Sequence, residues 1–317
     1  MTATATLNRA DAHRPRRWAR RSAGAENVAR SGAPPLGPRA QLVRAVLVLF
    51  LALTGTLLLQ LVVTSSLQQS AAQGRAFDAF RSDLATGTAP IGPTDRDGRA
   101  LALGTPVAFI DIPSIGVSEV VGEGTTSSVL FDGPGHRRDT PLPGQIGSSV
   151  VFGRRAAFGG PFADISELKQ GDLIRVTTGQ GIFNFKVIGV RREGDPAPAA
   201  PAAGTARLLL VTAAGRAFLP EGILRVDAQL DGQAVVGPPR AISAAGLPAA
   251  ERVMAGDSDT LWVLAFWLQA LILLSLAVVW SWHRWGRAQT WVVLFSPLLF
   301  VGLAASGEVA RLLPNLL

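Results

Sequence analysis

Residues 182–190 read IFNFKVIGV. Phe183, Phe185, Val187 and Gly189 fall on one side of an extended chain, the period-two pattern of a strand with one buried face. Further short apolar runs flank it at 107–112, 149–152, 173–178, 206–212 and 223–230, and the strand through 182–190 extends to Arg191. Glycines and prolines cut these runs apart, as in an all-β barrel or sandwich rather than a helical domain. Two segments break the strand pattern. Residues 161–169 predict a short helix, with Pro161 in its first turn and Phe162, Ile165 and Leu168 at helical spacing. Residues 194–204 (GDPAPAAPAAG) predict a loop that continues neither neighbouring strand, because proline donates no backbone hydrogen bond.

Outside this β-rich stretch, 105–231, the composition changes. Residues 45–63 (AVLVLFLALTGTLLLQLVV) carry no charge, and neither do 261–282 and 288–307. Each is long enough to span a bilayer, and Pro297 in the third is tolerated where neighbouring helices absorb the freed carbonyl. Residues 64–104 are polar and alanine-rich and predict a stalk, helical near the membrane and loosest before the folded domain. Residues 232–260, with Gly237-Pro238-Pro239, predict an exit linker.

The formal charge of +7 invites a nucleic-acid reading until it is located. Residues 1–44 hold nine arginines against Asp11 and Glu26, a net +7. Segment 64–260 has eighteen basic and twenty acidic residues, a net −2, and Arg284 and Arg287 restore the balance. The basic part is a tail before the first span, expected to be disordered, and positive-inside topology and anionic lipid account for it without nucleic acid. The expected topology is a multi-pass plasma-membrane protein with a cytoplasmic N-terminus and an extracytoplasmic 64–260. Its loop around Arg284 and Arg287 is cytoplasmic and its C-terminus extracytoplasmic. Six of seven tryptophans lie in or beside the last two spans, most near membrane–water boundaries. A 44-residue leader is too long for a cleaved signal peptide despite Ser70-Ala71-Ala72, and Arg16-Arg17 lacks the apolar residues a twin-arginine signal needs, so the first span reads as an uncleaved anchor.

The motifs within 105–231 resemble a known family. Ile112-Pro113-Ser114-Ile115-Gly116-Val117, Gly133-Pro134-Gly135-His136 and Pro143-Gly144-Gln145-Ile146-Gly147 follow in order. Val150-Val151-Phe152-Gly153-Arg154-Arg155, then Leu168-Lys169-Gln170-Gly171-Asp172 and Leu208-Leu209-Leu210-Val211-Thr212 complete the series. Together they are similar to the sortases, most of all the actinobacterial branch often called class E. The resemblance implies a mainly β ectodomain, a sortase-like closed β-barrel of about eight strands with short helices, carried here on three transmembrane α-helices.

The same resemblance implies a chemistry this chain departs from. Sortases cut a sorting signal with a cysteine thiolate, form a thioester and pass the acyl group to an amine, assisted by a histidine and an arginine. The family's Gly-His-Arg motif matches Gly153-Arg154-Arg155, so Arg154 stands at the histidine position. The Thr-Leu-any-Thr-Cys motif matches Leu209-Leu210-Val211-Thr212-Ala213, so Ala213 stands at the nucleophile position. The arginine position aligns with Ile223, leaving Arg225 or Arg216 as a retained arginine. The chain has no cysteine, which also excludes disulfides and thiolate metal sites.

No other constellation replaces the lost groups. Thr212 neighbours the vacant position but points to the opposite face of its strand. His136 reads better as a loop residue shared with active relatives than as a displaced base. No triad, carboxylate pair or metal-ligating cluster assembles, and no metal or cofactor is expected. Gly122-Glu123-Gly124 reads as a turn.

The expectation is a catalytically inactive pseudo-sortase acting as a cell-envelope binding or accessory module. Its groove candidates are His136, Arg154, Arg155, Thr212 and Arg225. The expected partners are the lipid bilayer and a sortase, a surface protein or a cell-wall component. The alternatives are a sortase-like transpeptidase or hydrolase with a noncysteine nucleophile, and a function residing in the membrane hairpin, where Glu308 and Arg311 sit one turn apart.

Overall fold

A computed structural model describes residues 37–317 apart from Arg96 and Asp259. The arginine-rich tail expected over 1–44 lies, up to residue 36, outside the described residues. The chain divides into two units, 1–46 and 47–317, and the account below concerns the second.

The β-rich stretch forms one closed barrel in the order β1-β2-β3-β4-β7-β8-β6-β5. Its strands are β1 (Pro106–Ile112), β2 (Val117–Glu123), β3 (Gly135–His136) and β4 (Gly147–Phe152). They continue with β5 (Leu173–Thr178), β6 (Gly181–Arg192), β7 (Ala206–Arg216) and β8 (Leu219–Leu230). Closure removes both sheet edges, the usual solution for short strands that would otherwise expose unpaired backbone. Pairing is antiparallel except at β2–β3 and β4–β7.

Six of these strands coincide with the apolar runs. Phe183, Phe185 and Val187 are buried as their alternation requires, but the register shifts between Val187 and Gly189, so Gly189 does not continue that face. A bulge of one residue moves everything beyond it to the other side of the sheet. Two strands carried no usable signal: β2 is broken by Ser118, Glu119 and Gly122, and β3 has two residues. The helix expected over 161–169 is reduced to a single 3-10 turn, Ile165–Glu167, although Phe162, Ile165 and Leu168 are all buried in the core.

The helices are not detached from the barrel. α1 (Pro38–Leu59) passes through a π-helical turn, Gln60–Thr64, into α2 (Ser65–Thr86). Where a stalk was expected, α2 lies along the barrel. Gln73 accepts from the Val120 N–H and donates to the Val120 and Asp132 carbonyls. Gln69 donates to Glu119, Phe77 meets the Phe109 ring edge-on and Phe80 is buried. The exit linker is held too: Leu247 is buried, and Glu251 is clamped by Arg138.

A short helix α3 (Ser127–Asp132), capped by Thr126, follows β2. The membrane hairpin comprises α4 (Leu261–Trp285) and α5 (Arg287–Leu312), with Gly286 at φ 93° between them. Among the described residues three helical stretches are long and apolar enough to cross a membrane: Phe50–Thr86, Leu261–Ser281 and Ala288–Leu312. Gly302 of α5 lies against Thr56 of α1, where a side chain would hold the helices apart. Glu308 and Arg311 pair with each other at 3.4 Å.

Candidate functional site

β4 and β7 run parallel, with Phe152 opposite Val211. The chain leaving β4 therefore passes beside the end of β7. The Gly153 N–H donates to the Val211 carbonyl, and the Thr212 hydroxyl donates to the Gly153 carbonyl at 2.8 Å. Side chains of β7 alternate as a pleat demands. Leu208, Leu210 and Ala214 enter the barrel core, while Val211 and Ala213 face a second apolar cluster with Leu130, Val150, Phe152 and Leu316. Thr212 is buried on the face opposite Ala213, and its hydroxyl is already engaged.

Arg154 is the largest fully buried side chain of the chain's described part, at 1% exposure. Its guanidinium sits 4.6 Å from the Phe131 ring centroid and 5.2 Å from that of Phe158. These two rings stack at 3.8 Å and 6°. Phe158 adopts φ 53°, a conformation a bulky residue takes only where its surroundings impose it. Nη1 donates to the Leu317 backbone oxygen at 3.0 Å. Nε and Nη2 have no partner, and no aspartate or glutamate side chain pairs with the group among the described residues. Burial lowers the Arg154 pKa from 12.5 to about 9, which leaves the guanidinium charged at neutral pH. A buried cation with two free N–H-bearing nitrogens is costly, and a bidentate anion is the ligand that best offsets that cost.

Arg155 contributes its backbone: its N–H donates to the Leu316 carbonyl at 3.0 Å. Arg225 pairs with Val211 across the β7–β8 ladder, so it stands on the Ala213 face, half-buried and without a side-chain partner among the described residues. Arg216 is exposed at the tip of the β7–β8 hairpin, away from this cluster along the strand.

His136 belongs elsewhere. It pairs with Val151, a barrel-core residue, and so faces away from Phe152 and the Ala213 cluster. Its Nδ1 lies 2.8 Å from Glu123 Oε2, and its Nε2 lies 3.0 Å from the Pro141 carbonyl and 3.2 Å from Thr140 Oγ1. Carboxylate, imidazole and hydroxyl thus have the connectivity of a nucleophile triad, which the sequence did not suggest. The protons oppose that role. Both ring nitrogens face acceptors, so both carry hydrogen, and the Thr140 hydroxyl donates to the Arg137 carbonyl at 2.7 Å. Burial alone pushes the imidazole down, but the Glu123 charge, the bonds to Glu123 and Pro141, and Asp139 outweigh it, and the pKa ends above 6.5. A raised folded-state pKa means the contribution to stability is complete below 6.5 and is lost as pH rises through the folded value. Unfolding free energy followed by pulse proteolysis should therefore fall as pH is raised from 6 to 9, and Glu123→Gln should flatten that profile. An unchanged slope in the variant would refute the pair as its cause.

Among the described residues no group of three or more His, Cys, Asp or Glu side chains is placed to hold a metal ion. Phe131, Phe158 and the tail Asn315-Leu316-Leu317 complete the site and were not singled out from the sequence.

The fold and the site together define a class: a closed eight-stranded barrel joined to helices long and apolar enough to span a membrane, with parallel β4 and β7 ending side by side. Residues 110–216 match the family model of the sortase domain. It is 30% identical over 80 residues to sortase D of Bacillus subtilis (strain 168), covering 25% of this chain and 39% of that protein. The match thus spans well under half of that relative's length. Similar solved structures include a Clostridium perfringens sortase D5 transpeptidase, with 24% identity, TM-score 0.43, and 51% of this chain and 99% of that one covered. Sortase E from Streptomyces avermitilis is another, with 28% identity, TM-score 0.35, and coverage of 48% and 100%.

Proposed function

We propose that this protein is a catalytically inactive sortase-family member that acts as a binding or accessory module on the outer face of a membrane. The observation that carries the reading is the pair of groups at the ends of β4 and β7. A methyl group stands at position 213, where a nucleophile would need a lone pair, and a buried guanidinium that is protonated at neutral pH stands at 154, where a base would need a lone pair free to accept a proton. Thr212 is turned into the barrel, and the only imidazole in the barrel holds two protons on the other side of the sheet.

What remains suits binding. The unpartnered Nε and Nη2 of Arg154 match a carboxylate in two-point geometry, and the flanking Phe131 and Phe158 rings supply an apolar wall. This favours an anionic peptide or wall polymer, from a sorting-signal protein, a genuine sortase or the cell wall. The nine arginines before the first span support a cytoplasmic N-terminus. Three spans then put the barrel and the end of α5 on the same outer side, which agrees with their direct contact.

The purified chain should neither hydrolyse nor transfer a sorting peptide, even at high protein concentration. Ala213→Cys alone should not create activity, because Arg154 accepts no proton at neutral pH. Turnover by the unaltered chain that survives thiol-blocking reagents would overturn the proposal. Crosslinking of the intact protein to sorting peptides, sortases and wall fragments tests the binding role, and silence across all three would refute it.

A further inference from the structure

Beyond α5 the chain turns back into the barrel. Residues 314–317 form a tight turn closed by the Leu317 N–H and the Pro314 carbonyl. Asn315, Leu316 and Leu317 are all buried, Asn315 and Leu316 completely. Leu316 packs into the apolar cluster that contains Ala213, Val211 and Phe152. Its carbonyl accepts from the Arg155 N–H, and the next backbone oxygen accepts from Arg154 Nη1. Asn315 fixes the other side: its backbone N–H donates to the Ala255 carbonyl, and its Nδ2 donates to the Thr125 and Arg252 carbonyls at 2.9 Å each. The membrane helices seal the rest, with Leu61 and Ala310 packed around Ala157, Phe158 and Phe131.

An accidental contact would not place a leucine side chain, two backbone acceptors and an asparagine on matched partners at once. The methyl of Ala213 gives Leu316 its room, and the cation of Arg154 gives the backbone oxygen its donor. We propose that residues 313–317 are a built-in ligand of the groove, a plug in cis that occupies the place of a catalytic centre and must leave before another peptide enters. The proposal rests on reading this groove as a binding site. The occupant it names is the chain's own segment, and the hairpin α4–α5 is what presents it. A displacement of α5 within the membrane would therefore open or close a site on the outer surface.

The absence of cysteine makes the test clean. Ala213→Cys introduces a single thiol at a position with no solvent exposure, and Arg216→Cys provides an exposed control on the same strand. In the full chain in nanodiscs, a polar maleimide should modify A213C about 100-fold more slowly than R216C, because labelling waits for local opening. Ending the chain after Leu312, or introducing L316D, should raise the A213C rate at least about tenfold and leave the R216C rate unchanged. The milder N315A should fall between, and it decides the matter if the harsher variants do not fold. Adding the peptide Leu-Pro-Asn-Leu-Leu to the shortened chain should restore protection. Equal A213C rates with and without the tail, whether fast or slow, would overturn the plug. So would failure of the peptide to protect a shortened chain that still folds. These readouts need no outside partner, so the plug can stand where crosslinking to envelope components fails, and the reverse holds too.

Discussion

Replacing Arg138 by alanine should destabilise the barrel by about 3–5 kcal/mol, the range for stranding one member of a buried ion pair. Arg138 grips Glu251 through Nε to both carboxylate oxygens at 3.1 Å and through Nη2 to Oε1 at 2.6 Å. The exposure of the partners is unequal: 15% for the arginine side chain and 1% for the glutamate. Removing the arginine leaves a buried carboxylate without its charge partner, whereas removing the glutamate leaves a guanidinium that can reach solvent. Glu251→Ala should therefore cost less, about 1–3 kcal/mol for the lost charged hydrogen bonds. The double variant should be more stable than R138A alone. Pulse proteolysis of the full chain reads all three, and CD provides a check; tryptophan fluorescence would miss the event, because the barrel contains no tryptophan. An R138A cost below about 1 kcal/mol would mean that the linker moves to hydrate Glu251, and the clamp would lose its structural role. The consequence reaches the groove. Thr125 donates to the Glu251 carbonyl, and Asn315 holds both the Thr125 and Arg252 carbonyls, so loosening Glu251 also loosens the seat of the plug.

The barrel was legible where a strand buries one face completely. Leu173–Thr178 has the bounds its pattern gives, and the alternation of Phe183, Phe185 and Val187 is the buried pattern of β6. It was illegible where pairing rather than burial makes the strand. β2 sets Glu119 against Gln69 of α2 and buries Glu123 against His136, so polar residues sit where a pattern search asks for apolar ones. Residues 161–169 show the converse failure, since helical spacing put Phe162, Ile165 and Leu168 in the core without a helix. Apolar spacing reports which residues are buried, and several backbone paths satisfy the same three contacts.

The site divides along the same line. Ala213, Arg154 and Arg155 were identified by position, Thr212 by strand parity, and the structure brings all four to the junction of β4 and β7. Arg225 stands on the Ala213 side of the sheet, and Arg216 and His136 do not join the cluster. Local sequence carried no sign of what covers the group. Phe131, Phe158 and Leu316 come from a loop helix, a turn and a segment more than 150 residues downstream of Arg154. Neighbours so far apart in sequence leave no periodic trace.

Phe158→Ala should cost about 3–5 kcal/mol and at the same time open the Arg154 pocket, which makes it the sharpest single probe of the groove. The ring is fully buried, stacked face to face on Phe131, and lies over the guanidinium at 5.2 Å. Its removal forfeits the apolar burial, the ring–ring contact and one of two cation–π contacts, while the backbone at φ 53° stays as unfavourable for alanine as for phenylalanine. Phe158→Leu keeps most of the volume and should cost about half as much, which separates packing from any special need for a ring. Arg154→Met offers the opposite sign: it replaces a buried cation with an apolar chain of similar length and should be within about 1 kcal/mol of neutral, or stabilising. If the cavity left by F158A admits water to Nε and Nη2, combining it with R154M should lose more stability than the two effects summed, because hydration had been relieving the stranded cation. Strict additivity would place the ring and the guanidinium in independent sites, and a strongly destabilising R154M would identify the cation, rather than its burial, as what holds residues 313–317 in the groove.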